Sequence, residues 1–402
     1  MKRQISAIAA VAVIISAAFS AAPVCAENIY EGFKLSYTIS NKEVSVTGCT
    51  GNDVLLQIPS EIEGCPVTSI AENAFSGNEN ITVCMIPDSV KTIGARAFSA
   101  CTELTTITLG SSVAKIGDYA FTACPSLLYI DVSKKNPTYS NINGCLYENS
   151  DTLLLYAGDK DAEIYEKTTV IRKGAFFGKA DITSVTLPNT VKTIDDHAFS
   201  GCLSLKKITI PDSVTKLGKG CFMSCNAMQS VIFGKSVTEI PENCFYCCTA
   251  LSDISIPDNI TSIGDRAFYC CADISGIYIP PTVKSIGTDA VGKKYISLNS
   301  DAINISGFQL RGEKGSAAEK YASEQEISFL TGKDTRGDVN GDGKIDSVDA
   351  SAVLAEYALL SSGKKGKFTE EQSKAADWNS DGNIDSVDAS AILAEYARVQ
   401  TL

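Results

Sequence analysis

The sequence predicts a solenoid of stacked 23-residue coils, rich in short β-strands, followed by a small all-α module built around a duplicated acidic loop. Three observations carry this reading. Phe75, Phe98 and Phe121, then Phe176, Phe199, Phe222, Phe245 and Phe268, recur every 23 residues, and Val291 takes the next place. The composition changes after a short stretch from Thr331 to Gly337. Beyond it a twelve-residue acidic motif occurs twice, beginning at Asp338 and Asp377; 17 of 21 positions are identical between Asp338–Ala358 and Asp377–Ala397.

The first element is an export signal. Lys2 and Arg3 give it a positive start, Ile5 to Ala22 an apolar stretch, and Val24, Cys25 and Ala26 a small-residue cleavage site, so residues 1–26 are expected to be removed. Pro23 and Val24 fit poorly before a lipidated cysteine, which favours simple cleavage over a lipid anchor. Without Lys2 and Arg3 the chain has 33 basic and 47 acidic residues, a net charge of −14. That excess argues against nucleic acid, which needs a basic face, and against anionic membrane surfaces. It suits divalent cations and neutral or basic partners.

The second element is the repeat. Ala or Cys precedes most phenylalanines, and Cys commonly follows three later, as at Cys101, Cys124, Cys202, Cys225, Cys248 and Cys271. Apolar residues recur six, nine, eleven, fifteen and eighteen positions on. In Leu104–Leu109, Ile107 and Leu109 alternate with Thr106 and Thr108, the period of a strand. Pro87, Pro211 and Pro257 end such strands, and Gly94, Gly117, Gly218 and Gly264 allow close backbone geometry before the phenylalanine. One coil cannot bury its own apolar side; stacking superimposes like residues into ladders along a continuous core. The repeats resemble the BspA-type leucine-rich repeats of bacterial surface proteins, a likeness carried by stretches such as Ala198 to Val214. It implies a leucine-rich-repeat solenoid over residues 67–292, an N-terminal cap over 27–66 and a C-terminal cap over 293–330. Near 133–166 the 23-residue period breaks, and a β-hairpin is expected to project there in place of one phenylalanine-bearing coil.

Cysteines at a fixed interior register read as small apolar residues of a packed ladder, so free, buried thiols are expected rather than a disulfide framework. Zinc is not expected: the adjacent pairs Cys247-Cys248 and Cys270-Cys271 have no histidine partners beyond the single His197, which is expected on the surface.

After the linker 331–337, residues 338–402 form the third element. A hard cation takes six to eight oxygens, and alternate residues of a tight loop can supply them. Asp338, Asn340 and Asp342 offer side-chain oxygens, Lys344 a backbone carbonyl, and Asp346 a direct or water-mediated ligand, with Gly343 making the turn. Asp377, Asn379, Asp381, Asn383, Asp385 and Gly382 repeat these roles. Two calcium ions are expected, and without them the clustered carboxylates repel, about 4 kcal/mol per pair ~4 Å apart at an intermediate dielectric. The twelfth ligand position is Asp349 or Asp388 instead of the Glu of an EF-hand, and each loop runs directly into a helix, from Ser347 to about Leu360 and from Ser386 to about Val399. This resembles a type I dockerin with paired F-hand loops, the module that binds cohesin domains of cellulosome scaffoldins. The resemblance implies cohesin contacts at Ser347, Val348, Ser351 and Ala355 and at their counterparts Ser386, Val387, Ser390 and Ala394.

Function is then expected to be that of a secreted, non-catalytic cellulosome-associated protein whose repeats hold a protein, peptide or glycan. The alternatives are a polysaccharide-degrading enzyme component and a structural spacer or cell-surface adhesin. No nucleophile elbow, metal-binding histidine pair or phosphate loop appears in the sequence. Outward strand positions are expected to be mostly small, at Thr106, Thr108, Ser184, Thr186, Thr209, Ser230 and Ser255, relieved by Tyr129, Asp131, Lys207, Asp253 and Tyr278. Met223, Tyr246 and Tyr269 follow consecutive phenylalanines and make a candidate ligand stripe.

Overall fold

The computed structural model describes residues 35–50, 54–158, 160–295, 301–342, 344–379 and 381–400. The export signal, the first residues of the expected N-terminal cap and Gly343 lie outside the described residues.

The chain opens with an antiparallel hairpin, Leu35–Ser40 against Glu43–Cys49. Its two-residue turn, Asn41 and Lys42, has φ of 52° and 63°, the left-handed pair that matches strand twist in a tight hairpin. Glu43–Cys49 then pairs in parallel with Cys65–Ile70, which begins a ladder through Thr92–Ile93 and Lys115–Ile116. A second parallel ladder runs through Leu55–Gln57, Val83–Met85, Thr106–Leu109 and Tyr129–Val132. The coil therefore carries two strands, where the alternation in Leu104–Leu109 announced one. The other, such as Lys115–Ile116, is two residues long, too short for a period of two to show.

The third side of the coil is the turn that holds the phenylalanine. Arg96, Phe98 and Ala100 donate their amides to Asp118, Ala120 and Thr122 of the next coil at 3.1, 2.8 and 2.9 Å. Reaching every second amide outward puts the flanking residues in the left-handed region: φ is 52° at Arg96 and 59° at Ala100, 60° at Tyr119 and 54° at Ala123, 52° at Arg266 and 61° at Cys270. Each non-glycine there costs about 1–2 kcal/mol, offset by the hydrogen bonds it aligns. The glycines before the phenylalanine serve another end. A Cβ at Gly94 would lie 2.4 Å from the Glu72 nitrogen, and one at Gly218 2.2 Å from that of Asp196, so these positions admit the neighbouring coil's backbone.

Inside, Phe75, Phe98 and Phe121 stack at 5.0 and 5.5 Å. A second column runs from Phe176 through Phe199, Phe222 and Phe245 to Phe268 at 4.5–5.5 Å. The cysteines at the third position after phenylalanine are buried, and each points its thiol at the phenylalanine carbonyl of the preceding coil. Cys101 reaches Phe75 O at 3.1 Å, Cys124 reaches Phe98 O at 3.0 Å, and Cys248 reaches Phe222 O at 3.1 Å. The fourteen described cysteines are free thiols. Their recurrence has a reason beyond size: an alanine would leave that carbonyl one donor short.

In the irregular segment the expected hairpin is present, Cys145–Glu148 against Thr152–Leu155, and its strands join the sheet of the solenoid. Tyr139–Ile142 pairs with Cys145–Glu148, which pairs with Thr152–Leu155, and this last strand joins Val170–Ile171 in the parallel ladder. Leu146, Tyr147 and Leu153 are fully buried, because the insertion has replaced a coil and must supply its core. Tyr156 takes the missing aromatic place, stacked on Phe176 at 4.6 Å. The apolar interior divides here into one cluster from Val44 to Ala157 and another from Cys145 to Ile327.

At the other end α1 (Ala317–Gln325) covers the stack, and the Tyr321 hydroxyl donates to Val291 O at 3.0 Å and accepts from Val291 N at 3.1 Å. Ser328–Thr331 adds a last strand beside Gln309–Gly312. The chain leaves along that coil: Lys333 lies over the Tyr278 ring at 5.2 Å, and Asp334 meets Arg311 at 3.4 Å.

Among the described residues three helices follow, α2 (Ser347–Ser361), α3 (Glu370–Ala376) and α4 (Ser386–Gln400). Val339, Ala350, Val353, Ala375, Ala376, Ala389 and Ile392 form their separate core, with Ile345, Ile384 and Trp378 packed against it. The short α3 was not anticipated, although Thr369 and Gln372 form a capping box legible as Thr-x-x-Gln.

Candidate functional site

The two acidic loops fold alike, and the resemblance extends to individual hydrogen bonds. Asp346 caps α2 by accepting the Val348 amide at 2.7 Å, and Asp385 accepts that of Val387 at 2.7 Å. The twelfth residue of each loop is buried at the junction of loop and helix. The Asp349 carboxylate is fully buried; Oδ1 accepts from Val339 N at 2.9 Å and Asn340 N at 3.1 Å, and Oδ2 from Asp346 N at 3.0 Å. Asp388 repeats this with Trp378 N at 3.0 Å, Asn379 N at 3.4 Å and Asp385 N at 2.9 Å. One carboxylate thus joins the start of each loop to its end, a role that ligand spacing alone did not reveal.

The remaining oxygens rim the turn. Asp338 Oδ1 accepts from Gly341 N at 2.8 Å, Asn340 Oδ1 from Asp342 N at 2.8 Å, and Asp342 Oδ1 from Lys344 N at 2.9 Å. In the second loop Asp377 accepts from Asp381 N and Gly382 N at 3.0 and 2.9 Å, Asn379 from Asp381 N at 2.9 Å, and Asp381 from Asn383 N at 2.8 Å. The Asn383 amide holds the Asp381 carboxyl below the usual carboxylate range. Among the described residues no group of three or more His, Cys, Asp or Glu side chains is gathered as a metal cage. The acidic oxygens are instead turned to the loop's own amides. The donors are nonetheless all hard oxygens at alternate positions of a tight loop, the set that fits calcium and does not fit a thiophilic metal.

Ser347, Val348, Ser351 and Ala355 are all exposed on α2, and Ser386, Val387, Ser390 and Ala394 are all exposed on α4. Ser351 Oγ donates to Ser347 O at 2.6 Å and Ser390 Oγ to Ser386 O at 2.7 Å, which folds both hydroxyls back onto their helices. Val348 and Val387 are each 58% exposed. Leu354 and Leu393 are exposed as well and were missed by sequence reasoning. Their signal is position: each stands seven residues after the first serine of its helix, on the same face.

On the repeats, Tyr246 and Tyr269 align in consecutive coils with Met223 before them, and their rings stack at 5.4 Å. Tyr295, out of the 23-residue register, continues the column at 6.0 Å from Tyr269. Tyr269 is buried between them, with Arg266 over its ring at 6.0 Å. Tyr269 is thus stacked on both sides, while Tyr246 and Tyr295 each turn one face to it. Ser184, Thr186, Thr209 and Ser255 are exposed as expected, whereas Thr106, Thr108 and Ser230 are buried. Thr106 stands in register between Val83 and Tyr129, and Thr108 between Met85 and Asp131; larger neighbours in the same row enclose the small side chains. His197, expected on the surface, is half-buried: its ring occupies the space a Cβ at Gly220 would need and stands 6.4 Å from that of Tyr119. No helix among the described residues is long and apolar enough to cross a membrane.

Comparison with known families finds two. The BspA type leucine rich repeat region matches in six copies over residues 60–154 and 169–296, and the dockerin type I domain matches residues 336–395. No curated protein matches. Among solved structures, a leucine rich cell surface protein from Faecalibacterium prausnitzii A2-165 is 22% identical over 78% of this chain and 100% of its own, with a TM-score of 0.38. A leucine-rich repeat protein from Eubacterium ventriosum is 19% identical over 70% of this chain and 91% of its own, TM-score 0.46. The pneumococcal vaccine antigen PcpA is 14% identical over 76% and 98%, TM-score 0.47.

Proposed function

The chain belongs to the BspA-type leucine-rich repeat family and carries a type I dockerin at its C-terminal end, and from that premise we propose that it is a secreted, non-catalytic component of a cellulosome. Type I dockerins bind calcium and, through it, cohesin; both matched families are non-catalytic. The dockerin attaches the protein to a scaffoldin cohesin, and the repeats bring an interaction surface for a protein, peptide or glycan to the assembly.

The observation that carries this reading is the duplication of structure as well as sequence in the dockerin. Both loops close on a buried twelfth aspartate, and both helices expose the same serine, valine and leucine. Two calcium ions are proposed, one held by Asp338, Asn340, Asp342, the Lys344 carbonyl, Asp346 and Asp349. The other is held by Asp377, Asn379, Asp381, the Asn383 carbonyl, Asp385 and Asp388. Calcium supplies the positive charge that lets these carboxylates crowd together. The chain's own contribution is to hold the loops closed and to aim the two helix faces. Val348 with Leu354, and Val387 with Leu393, are the apolar centres of two alternative cohesin contacts.

Calorimetric titration of the full chain with purified type I cohesins tests the proposal. Tight binding in calcium that vanishes in chelator is expected. No binding to any cohesin of a panel drawn from dockerin-bearing bacteria would refute the attachment role. Hydrolysis of plant polysaccharides by the purified chain would refute the non-catalytic one.

A further inference from the structure

Cys221 and Cys244 differ from the other cysteines of the solenoid. They occupy the position just before the phenylalanine, where Ala97, Ala120, Ala175, Ala198 and Ala267 stand in other coils. Both are fully buried, and their sulfurs approach to 3.4 Å. The recurrent cysteines three residues after phenylalanine spend their thiols on carbonyls, as Cys225 does on Phe199 O at 3.2 Å and Cys271 on Phe245 O at 3.1 Å. Cys101 and Cys124, and Cys225 and Cys248, also face each other across coils, but the Cys221 and Cys244 thiols meet sulfur to sulfur at 3.4 Å.

We propose that Cys221 and Cys244 are a disulfide site, closed in an oxidising environment as a covalent staple between adjacent coils. The coils pair directly here, with Gly220 N donating to Glu242 O at 2.9 Å and Phe222 N to Cys244 O at 3.0 Å. Equivalent residues of neighbouring coils stand about one strand spacing apart, roughly 4.8 Å, inside the Cα range a disulfide spans. The sulfurs must close by roughly 1.4 Å to reach a bond of about 2.05 Å.

The step is an exchange with a low-molecular-weight or protein disulfide. Two S–H bonds are lost and one S–S bond forms; the two electrons and two protons pass to the oxidant, which leaves as two thiols. Attack requires a thiolate, and burial pushes the Cys244 thiol well above its ordinary value, so the exchange belongs to folding, before the coil closes. The staple then joins positions 23 residues apart, removing disorder from the unfolded chain.

The test folds the full chain in a glutathione redox buffer, blocks remaining thiols under denaturing conditions and maps peptides without reduction. A Cys221–Cys244 linked peptide is expected, with the loss of two hydrogens from the intact mass. The midpoint of thermal unfolding should stand several degrees above that of the reduced protein. C221A/C244A, which installs the residue other coils already use, should fold and lose that difference. Free, alkylated Cys221 and Cys244 in the folded product would overturn the proposal, as would a link between Cys225 and Cys248 or between Cys247 and Cys270 in its place. A difference between oxidised and reduced protein that persists in C221A/C244A would also overturn it.

Discussion

The Asp349 carboxylate accepts the amide of Val339, ten residues earlier, at 2.9 Å, and is shut off from solvent while doing so. Substituting Asp349 with Ala leaves the amides of Val339, Asn340 and Asp346 without their acceptor in a buried place. A buried unsatisfied polar group costs about 1–3 kcal/mol, so loop and helix should separate. Circular dichroism during a calcium titration is expected to show the folding midpoint of Asp349→Ala moved to at least tenfold higher calcium.

Removing calcium should loosen the dockerin and leave the solenoid intact, because the module has its own core. Limited proteolysis with trypsin is the measurement. In chelator, cleavage at Lys364, Lys365, Lys367 and Lys374 should accelerate at least tenfold, while a fragment covering the repeats persists.

The two cohesin faces should substitute for each other. Val348→Asp alone and Val387→Asp alone are expected to leave cohesin affinity within about threefold. The double variant removes both apolar centres and should weaken binding by roughly 30-fold or more, about 2 kcal/mol. A loss of that size in either single variant would show that one helix alone makes the contact.

Phe222→Ala should cost about 3–5 kcal/mol by opening a cavity between Phe199 and Phe245, which stack on it at 5.3 and 5.5 Å. Chemical unfolding of the full chain measures this. Thr209→Ala, on an exposed strand position, should change stability by less than about 0.5 kcal/mol.

Alkaline pH should unfasten the C-terminal cap. Burial pushes the Tyr321 hydroxyl up to about 12, against an ordinary value of about 10. The folded chain therefore keeps a proton that the unfolded chain gives up, and stability falls between pH 10 and about 12. Tyr321→Phe, although weaker at neutral pH for want of the Val291 hydrogen bonds, should show a shallower decline across that window.

What was legible in the sequence is what repeats. Phe75 to Phe268 announced the stacked aromatic columns, because each coil meets a copy of itself and periodicity records such contacts. Asp338 and Asp377 announced paired loops for the same reason. Where unlike positions meet, periodicity is silent. Tyr156 extends the second aromatic column one step before Phe176 from an insertion with no repeat register, and Tyr295 extends the tyrosine stack three residues late. Thr106 and Thr108 looked outward by alternation, but larger neighbours on either side bury them.

The sequence by itself determined the coil length, the break near the middle of the solenoid and the chemistry of the acidic loops. Each of these follows from residue type and spacing along one chain. Only the tertiary structure decided that the insertion is swallowed into the core, that Asp349 and Asp388 are hubs, and that Cys221 touches Cys244. Burial and sulfur-to-sulfur distance depend on how neighbouring backbones approach, and a one-dimensional order of residues does not specify that approach.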